Sequence, residues 1–87
     1  MSDGVLRELV GRVPVGWSVA EWRGRRYAVT RVDRAGGRAI SVYAEELAGT
    51  DVVSTNVYLV ATGGAELRPC EMPAERVLAF LGETRWP

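Results

Sequence analysis

Few side chains in this sequence could take part in nucleophilic catalysis. There is one cysteine, Cys70, and no histidine, so neither a cysteine nor a serine nucleophile has an imidazole base to activate it. A reactive thiol needs exposure and a positively charged neighbourhood. Cys70 is therefore the single candidate reactive thiol, and the simpler interpretation is a small apolar side chain between a strand and a helix.

The sequence also contains few residues suited to acid–base catalysis or to metal binding. Glu45 and Glu46 are adjacent, and adjacent residues of a strand point to opposite faces, so their carboxylates would not form a pair. One cysteine and no histidine cannot supply the usual ligands of zinc. We therefore expect no catalytic residue, no metal and no cofactor, and favour a non-enzymatic protein. A small enzyme or ligand-binding protein with a site near Cys70 and Asp51 is the third hypothesis.

The elements that must position these residues follow from hydrophobic periodicity. The 87 residues suit one domain, 1–87. Apolar residues at helical spacing predict a short N-terminal helix over 3–10 and a C-terminal helix over about 73–82. Between them, five runs rich in β-branched and aromatic residues end at glycine-bearing turns. These runs predict strands over about 15–22, 26–33, 38–47, 52–62 and 65–68.

The predicted fold class is α+β, an antiparallel meander of four or five strands with the C-terminal helix packed on one face. Pairing Asp33 with Arg38, and Leu47 with Val52, gives a trial register in which the apolar residues share one face. The predicted core face comprises Tyr27, Val29, Ile40, Val42, Ala44, Val53, Val57 and Leu59. A two-residue Arg23–Gly24 loop would place Trp17 and Val19 on the other face, and a three-residue loop would place them in the core.

The second face of the predicted sheet is poor in charge and rich in hydroxyl groups. Its candidate interaction residues are Thr30, Ser41, Tyr43, Ser54, Asn56 and Tyr58. Charge depletion with tyrosine enrichment is typical of the centre of a protein interface. The leading hypothesis is therefore a protein-interaction module, homodimeric through this face. The other interpretation is that the N-terminal helix covers the face within one chain.

The first two predicted hairpins interleave arginine with aromatic residues, which is typical of single-stranded nucleic-acid binding. The candidate contact residues are Trp17, Trp22, Arg25, Arg26 and Tyr27. However, eleven arginines balance eleven acidic residues, so the chain has no net charge. Nucleic acid is therefore the less favoured partner.

Several short motifs between residues 17 and 82 resemble those of a group of small bacterial proteins that has no known activity. The motifs are the segment YAEEL at 43–47, then Gly49, Asp51, Ser54, Asn56 and Tyr58, then PCEMP at 69–73 with Val77, Phe80 and Leu81. The resemblance implies a bacterial origin and a compact β-rich domain, and it assigns no functional residue. The single cysteine, the lack of a leader-like N-terminus and apolar runs of at most five residues predict a cytoplasmic protein that does not enter the membrane.

Overall fold

The computed structural model of the chain describes residues 2–87. Its elements are α1 (Asp3–Gly11), β1 (Gly16–Trp22), β2 (Arg25–Arg34), a 3₁₀ turn (Ala35–Gly37), β3 (Ala39–Glu46), β4 (Val52–Leu59), β5 (Ala65–Pro69) and α2 (Ala74–Glu83). The five strands form one antiparallel sheet in the order β1-β2-β3-β4-β5. This confirms the predicted α+β meander with a helix at each end of the chain.

The register of two hairpins differs from the prediction by two residues. Val29 pairs with Ala44 instead of Val42, and Val42 pairs with Thr55 instead of Val57. The β2–β3 loop begins one residue later than expected, and the β3–β4 loop begins one residue earlier. Because side chains alternate with a period of two, a two-residue slip leaves each of them on its predicted face. Seven residues of the predicted core face are buried, and the eighth, Leu59, is partly buried.

Both helices pack on this same face of the sheet. The Ser2 hydroxyl caps α1 by accepting a hydrogen bond from the Val5 N–H at 3.2 Å. The buried stripe of α1, Leu6, Leu9 and Val10, joins one hydrophobic core with the stripe of α2, Val77, Phe80 and Leu81. The interpretation that the N-terminal helix covers the second face is therefore wrong.

The first hairpin has a tight two-residue loop. Trp22 pairs with Arg25, and Arg23 and Gly24 between them have φ angles of 52° and 76°. A type I′ turn, whose twist matches that of the flanking strands, requires positive φ at both central residues. The two-residue alternative is thus the observed one, and it turns Trp17 and Val19 away from the core.

An aromatic cluster closes the core where β1, β2 and α2 meet. The Phe80 ring makes edge-to-face contacts with Trp22, Tyr27 and Trp86, at centroid distances of 5.2, 5.7 and 5.8 Å. Such pairs add about 0.5–1.5 kcal/mol each beyond the area that they bury. Trp86 reaches the cluster because the C-terminal segment pairs with β1 through Arg85 and Glu21. Within residues 2–87, neither helix is long and apolar enough to cross a membrane.

Candidate functional site

The face of the sheet opposite the helices is called the open face below. Alternate residues of the five strands form it, and no helix within residues 2–87 packs on it. The structure places all six candidate interaction residues on the open face, namely Thr30, Ser41, Tyr43, Ser54, Asn56 and Tyr58. Their grouping follows from strand alternation and does not depend on the corrected register.

Two cross-strand rows run through the middle of the open face. In the first row, Trp17 lies opposite Thr30, Thr30 opposite Tyr43, and Tyr43 opposite Ser54. In the second row, Ser41 donates a hydrogen bond from its hydroxyl to the Asn56 side-chain carbonyl at 2.7 Å. The first row therefore offers aromatic contact area, and the second holds its polar groups in a fixed pair.

The open face carries most of the large apolar side chains that the described part of the chain exposes. Trp17 is 68% exposed, Tyr43 45% and Tyr58 43%. The other large exposed side chains on this face or at its margins are Val15, Val32, Leu47 and Val60. Among residues 2–87 only one further large apolar residue is exposed, Val5 on α1. Single exposed apolar residues are common in proteins, but a contiguous patch marks an interaction surface.

Charged residues on the open face lie mainly towards its edges and are balanced. By strand alternation they are Glu21, Arg26, Arg34, Glu45, Glu66 and Arg68. Glu66 and Arg68 form an ion pair on the edge strand β5 at 2.8 Å. On the central strand β3, between Ala39 and Glu45, Glu45 is the one charged side chain that points to this face. The open face therefore has no net charge.

The candidate nucleic-acid residues do not form one surface. Trp22 and Tyr27 are each only 2% exposed and belong to the aromatic cluster on the helix side. Arg25 lies on the helix side beside them, whereas Trp17 and Arg26 lie on the open face. Buried rings have no free surface on which a base could stack, so the proposed five-residue contact set is wrong for Trp22 and Tyr27.

Cys70 and Asp51, which the third hypothesis places together, lie on opposite sides of the sheet. Cys70 is exposed on the open face, with its N–H bonded to the Ser54 carbonyl at 3.0 Å and its sulfur 3.9 Å from Asn56 Nδ2. Asp51 lies on the helix side, where it contacts Tyr27 and Arg76. No joint site near the two residues therefore exists. Within residues 2–87, no three cysteine, aspartate or glutamate side chains converge as metal ligands would.

The structure also has a concave site that the sequence did not indicate, called the arginine pocket below. It has a volume of about 270 Å³ and is lined by Trp22, Arg23, Arg25, Tyr27, Asp51 and Arg76. The guanidinium carbons of Arg23 and Arg76 lie 4.5 and 5.2 Å from the Trp22 ring centroid. No local motif marks this pocket, because its residues come from the β1–β2 hairpin, the β3–β4 loop and α2.

Asp51 is the central acceptor of the arginine pocket. It accepts a hydrogen bond from the Tyr27 hydroxyl at 2.6 Å, and Arg76 contacts both of its carboxylate oxygens. Burial alone would raise the pKa of Asp51, but the Tyr27 hydrogen bond and the charge of Arg76 lower it below its ordinary value. Burial, and then the bond to Asp51, raise the pKa of Tyr27 to about 12. Asp51 is therefore charged and Tyr27 neutral at physiological pH.

Glu83 neutralises the outer side of the pocket. Its carboxylate accepts hydrogen bonds from the Trp22 indole N–H at 3.1 Å and from Arg23 Nε at 2.9 Å. The hydrogen bond from Arg23, followed by that from Trp22, lowers the pKa of Glu83. Each of the three arginines thus has a carboxylate partner, because Arg25 also forms an ion pair with Glu46 Oε1, at 3.6 Å and without a hydrogen bond.

Comparisons of the chain with protein-family models, with curated proteins and with solved structures find no match. The resemblance to small bacterial proteins therefore stays a prediction.

Proposed function

We propose that this protein is a non-enzymatic interaction module that associates with a second copy of itself through the open face. The observation that supports the proposal is the concentration of exposed apolar side chains, with Trp17 and Tyr43 in one cross-strand row, on a face without helices in residues 2–87. Aromatic residues combined with few central charges favour a protein partner.

The size of the open face is compatible with a weak dimer. Five strands about 4.8 Å apart, between five and ten residues long at about 3.4 Å per residue, give a projected area of roughly 600 Å². Two such faces would bury roughly 1,200 Å² together, near the lower limit for a specific interface. We therefore expect an association that depends on protein concentration in the micromolar range or above.

The charges of the open face favour a second copy that is turned end over end. We place the two-fold axis at the centre of the face, over the middle of β3. If this axis ran parallel to the strands, Glu45 would lie over Glu45 of the second copy, and like charges would repel. If it runs across the strands, Glu45 lies over Ala39 of the second copy, beside Arg34, which pairs with Ala39. A two-fold interface requires the patch to complement itself, and only the second arrangement does so.

The balance of charge also favours protein over nucleic acid. Nucleic-acid affinity depends on basic residues that neutralise phosphates. On the open face, Arg26, Arg34 and Arg68 are matched by three glutamates, and Arg68 already pairs with Glu66. A face that stacks bases on Trp17 and Tyr43 would therefore lack the positive charge that holds the backbone.

The test is the solution mass over a concentration series, measured by light scattering after size exclusion with reductant present. We expect a rise towards twice the monomer mass for the native chain. In Tyr43→Arg the dissociation constant should increase at least thirtyfold, because the change puts an unpaired charge into the interface centre twice per dimer. Val5→Arg is the matched control, since Val5 is 44% exposed, close to the 45% of Tyr43, but lies on α1.

Three results would count against self-association. The first is a native chain that stays monomeric up to millimolar concentration, and the second is equal masses for the Tyr43→Arg variant and the native chain. The third is a native monomer that retains single-stranded RNA or DNA at low salt and loses it on Trp17→Ala. That result would assign the open face to nucleic acid instead.

A further inference from the structure

We propose that the arginine pocket binds a small oxyanion, a phosphate or carboxylate group, between Arg25 and Arg76. The pocket lies on the helix side of the sheet, so this inference does not depend on the function proposed for the open face. Three guanidinium groups line one concavity, together with the single carboxylate of Asp51. Guanidinium groups bind carboxylates and phosphates through paired N–H donors.

Two of the three guanidinium groups lie against the same Trp22 ring. Those of Arg23 and Arg76 lie within 4.5 and 5.2 Å of one Trp22 centroid, so their carbons are at most 9.7 Å apart, the sum of the two distances. Like charges at such separations repel each other unless anions lie between them. From the protein side, Glu83 holds Arg23 and Asp51 holds Arg76. Glu46 lies 3.6 Å from Arg25 without a hydrogen bond, so Arg25 is the least firmly held of the three.

The hydrogen-bonding groups left over in the pocket are donors. Both oxygens of Asp51 are engaged by Arg76, and one of them also by Tyr27. Arg76 makes these bonds through Nη2, which leaves its Nε and Nη1 without a hydrogen-bond partner within residues 2–87. In the same described range, the side chain of Arg25 donates no hydrogen bond, and it is 63% exposed. A ligand that completes this set must bring acceptors, as an oxyanion does.

The size of the pocket limits the ligand to a small one. Its volume of about 270 Å³ is just below the range of roughly 300–1,000 Å³ of ordinary ligand pockets. The floor formed by Trp22 and Tyr27 is buried and held by fixed hydrogen bonds to Glu83 and Asp51. Arg76, which Asp51 holds against this floor, therefore needs little reorganisation when an anion binds.

Inorganic phosphate is the probe, and the readout is the set of indole and arginine Nε–H signals of the ¹⁵N-labelled full chain by NMR. We expect saturable shifts of the Trp22 indole and of the Arg25 and Arg76 signals at millimolar phosphate, with none at equal ionic strength of sodium chloride. A parallel titration with acetate separates the two ligand classes. Stronger shifts with acetate would assign the pocket to carboxylates, and stronger shifts with phosphate would assign it to phosphates.

The variants are Arg25→Gln and, as a matched control, Arg26→Gln. Arg26 is the next residue of the same strand, is also exposed, and points to the open face. Losing one charged donor should weaken anion binding about tenfold or more in Arg25→Gln and leave it unchanged in Arg26→Gln. Shifts that follow ionic strength alone, or equal losses in the two variants, would overturn the proposal. An association constant for dimerisation that is unaltered in Arg25→Gln would show that the two proposals are independent.

Discussion

Replacing Asp51 with alanine should destabilise the fold more than replacing any exposed, ion-paired carboxylate. Asp51 joins the β3–β4 loop to the sheet through the Tyr27 hydroxyl and to α2 through Arg76. Its side chain is 29% exposed and that of Arg76 is 33% exposed, so both are partly removed from water. The loss of Asp51 leaves the buried Tyr27 hydroxyl without its acceptor.

The expected magnitude comes from these two contacts. Hydrogen bonds to charged groups contribute about 1.5–3 kcal/mol each, and the partial exposure of Arg76 lets water replace part of that contact. We therefore expect Asp51→Ala to lower the free energy of unfolding by about 2–3 kcal/mol. For a domain of this size, such a loss lowers Tm by about 10–20 °C.

Urea denaturation followed by tryptophan fluorescence measures the loss, at a protein concentration where the chain is monomeric. Glu8→Ala is the matched control, because Glu8 also pairs with an arginine, at 2.8 Å, but has a side chain that is 67% exposed. The control should lose no more than about 0.5 kcal/mol. If the two variants lost equal stability within 0.5 kcal/mol, or if Tyr27→Phe and Asp51→Ala proved additive in a double-mutant cycle, the coupling inferred from the structure would be refuted.

Three further predictions concern pH, the anchoring of α1 and the geometry of the dimer. The pKa of Tyr27 rises from its ordinary 10.0 to about 12 in the fold. The neutral phenol therefore stabilises the folded state fully below pH 10, and this contribution is lost between pH 10 and 12. Urea titrations should show the corresponding decrease in unfolding free energy in the native chain and a smaller decrease in Tyr27→Phe. Arg7 donates to the carbonyls of Val60, Gly63 and Gly64 at 2.7–3.3 Å, so Arg7→Ala should cost about 1–3 kcal/mol in the same assay, against less than 0.5 kcal/mol for the exposed Arg12→Ala. A two-fold axis across the strands places the two Cys70 sulfurs of the dimer about 12 Å apart, whereas an axis parallel to the strands places them about 22 Å apart. A short bis-maleimide should therefore cross-link the native dimer. Cross-linking only by a long reagent would contradict the proposed axis.

Strand alternation made the two faces of the sheet predictable from the sequence. The turns were misplaced by one residue each, yet the slip of two residues in register kept Val29 and Val42 in the core and Tyr43 on the open face. The apolar face would have been lost if either slip had been odd. Face assignment is thus more robust than register, because it depends only on parity.

The arginine pocket was not predictable in the same way. Asp51 meets Tyr27 and Arg76, which lie 24 and 25 residues away along the chain, only once the loop, the strand and α2 have docked. The burial of Trp22 depended on the length of one loop, since a two-residue loop at Arg23–Gly24 turns Trp22 inward when Trp17 turns outward. The sequence allows both loop lengths and so does not fix the face of Trp22, which entered the candidate contact set only because arginine and aromatic residues interleave there.

The open face is left uncovered because the two helices within residues 2–87 are short. Two helices of nine and ten residues pack on one face of a five-stranded sheet, and both are used there to bury the core residues of β2, β3 and β4. The remaining face must then be compatible with water or be covered by a partner. A face adapted to water alone would carry mainly polar and charged residues, which alternate along each strand with the buried apolar ones. Instead its central rows carry Trp17, Tyr43 and small hydroxyl residues, with charges mainly at the edges. This composition favours a partner that covers the face, and a second copy is the partner whose charges the face already complements.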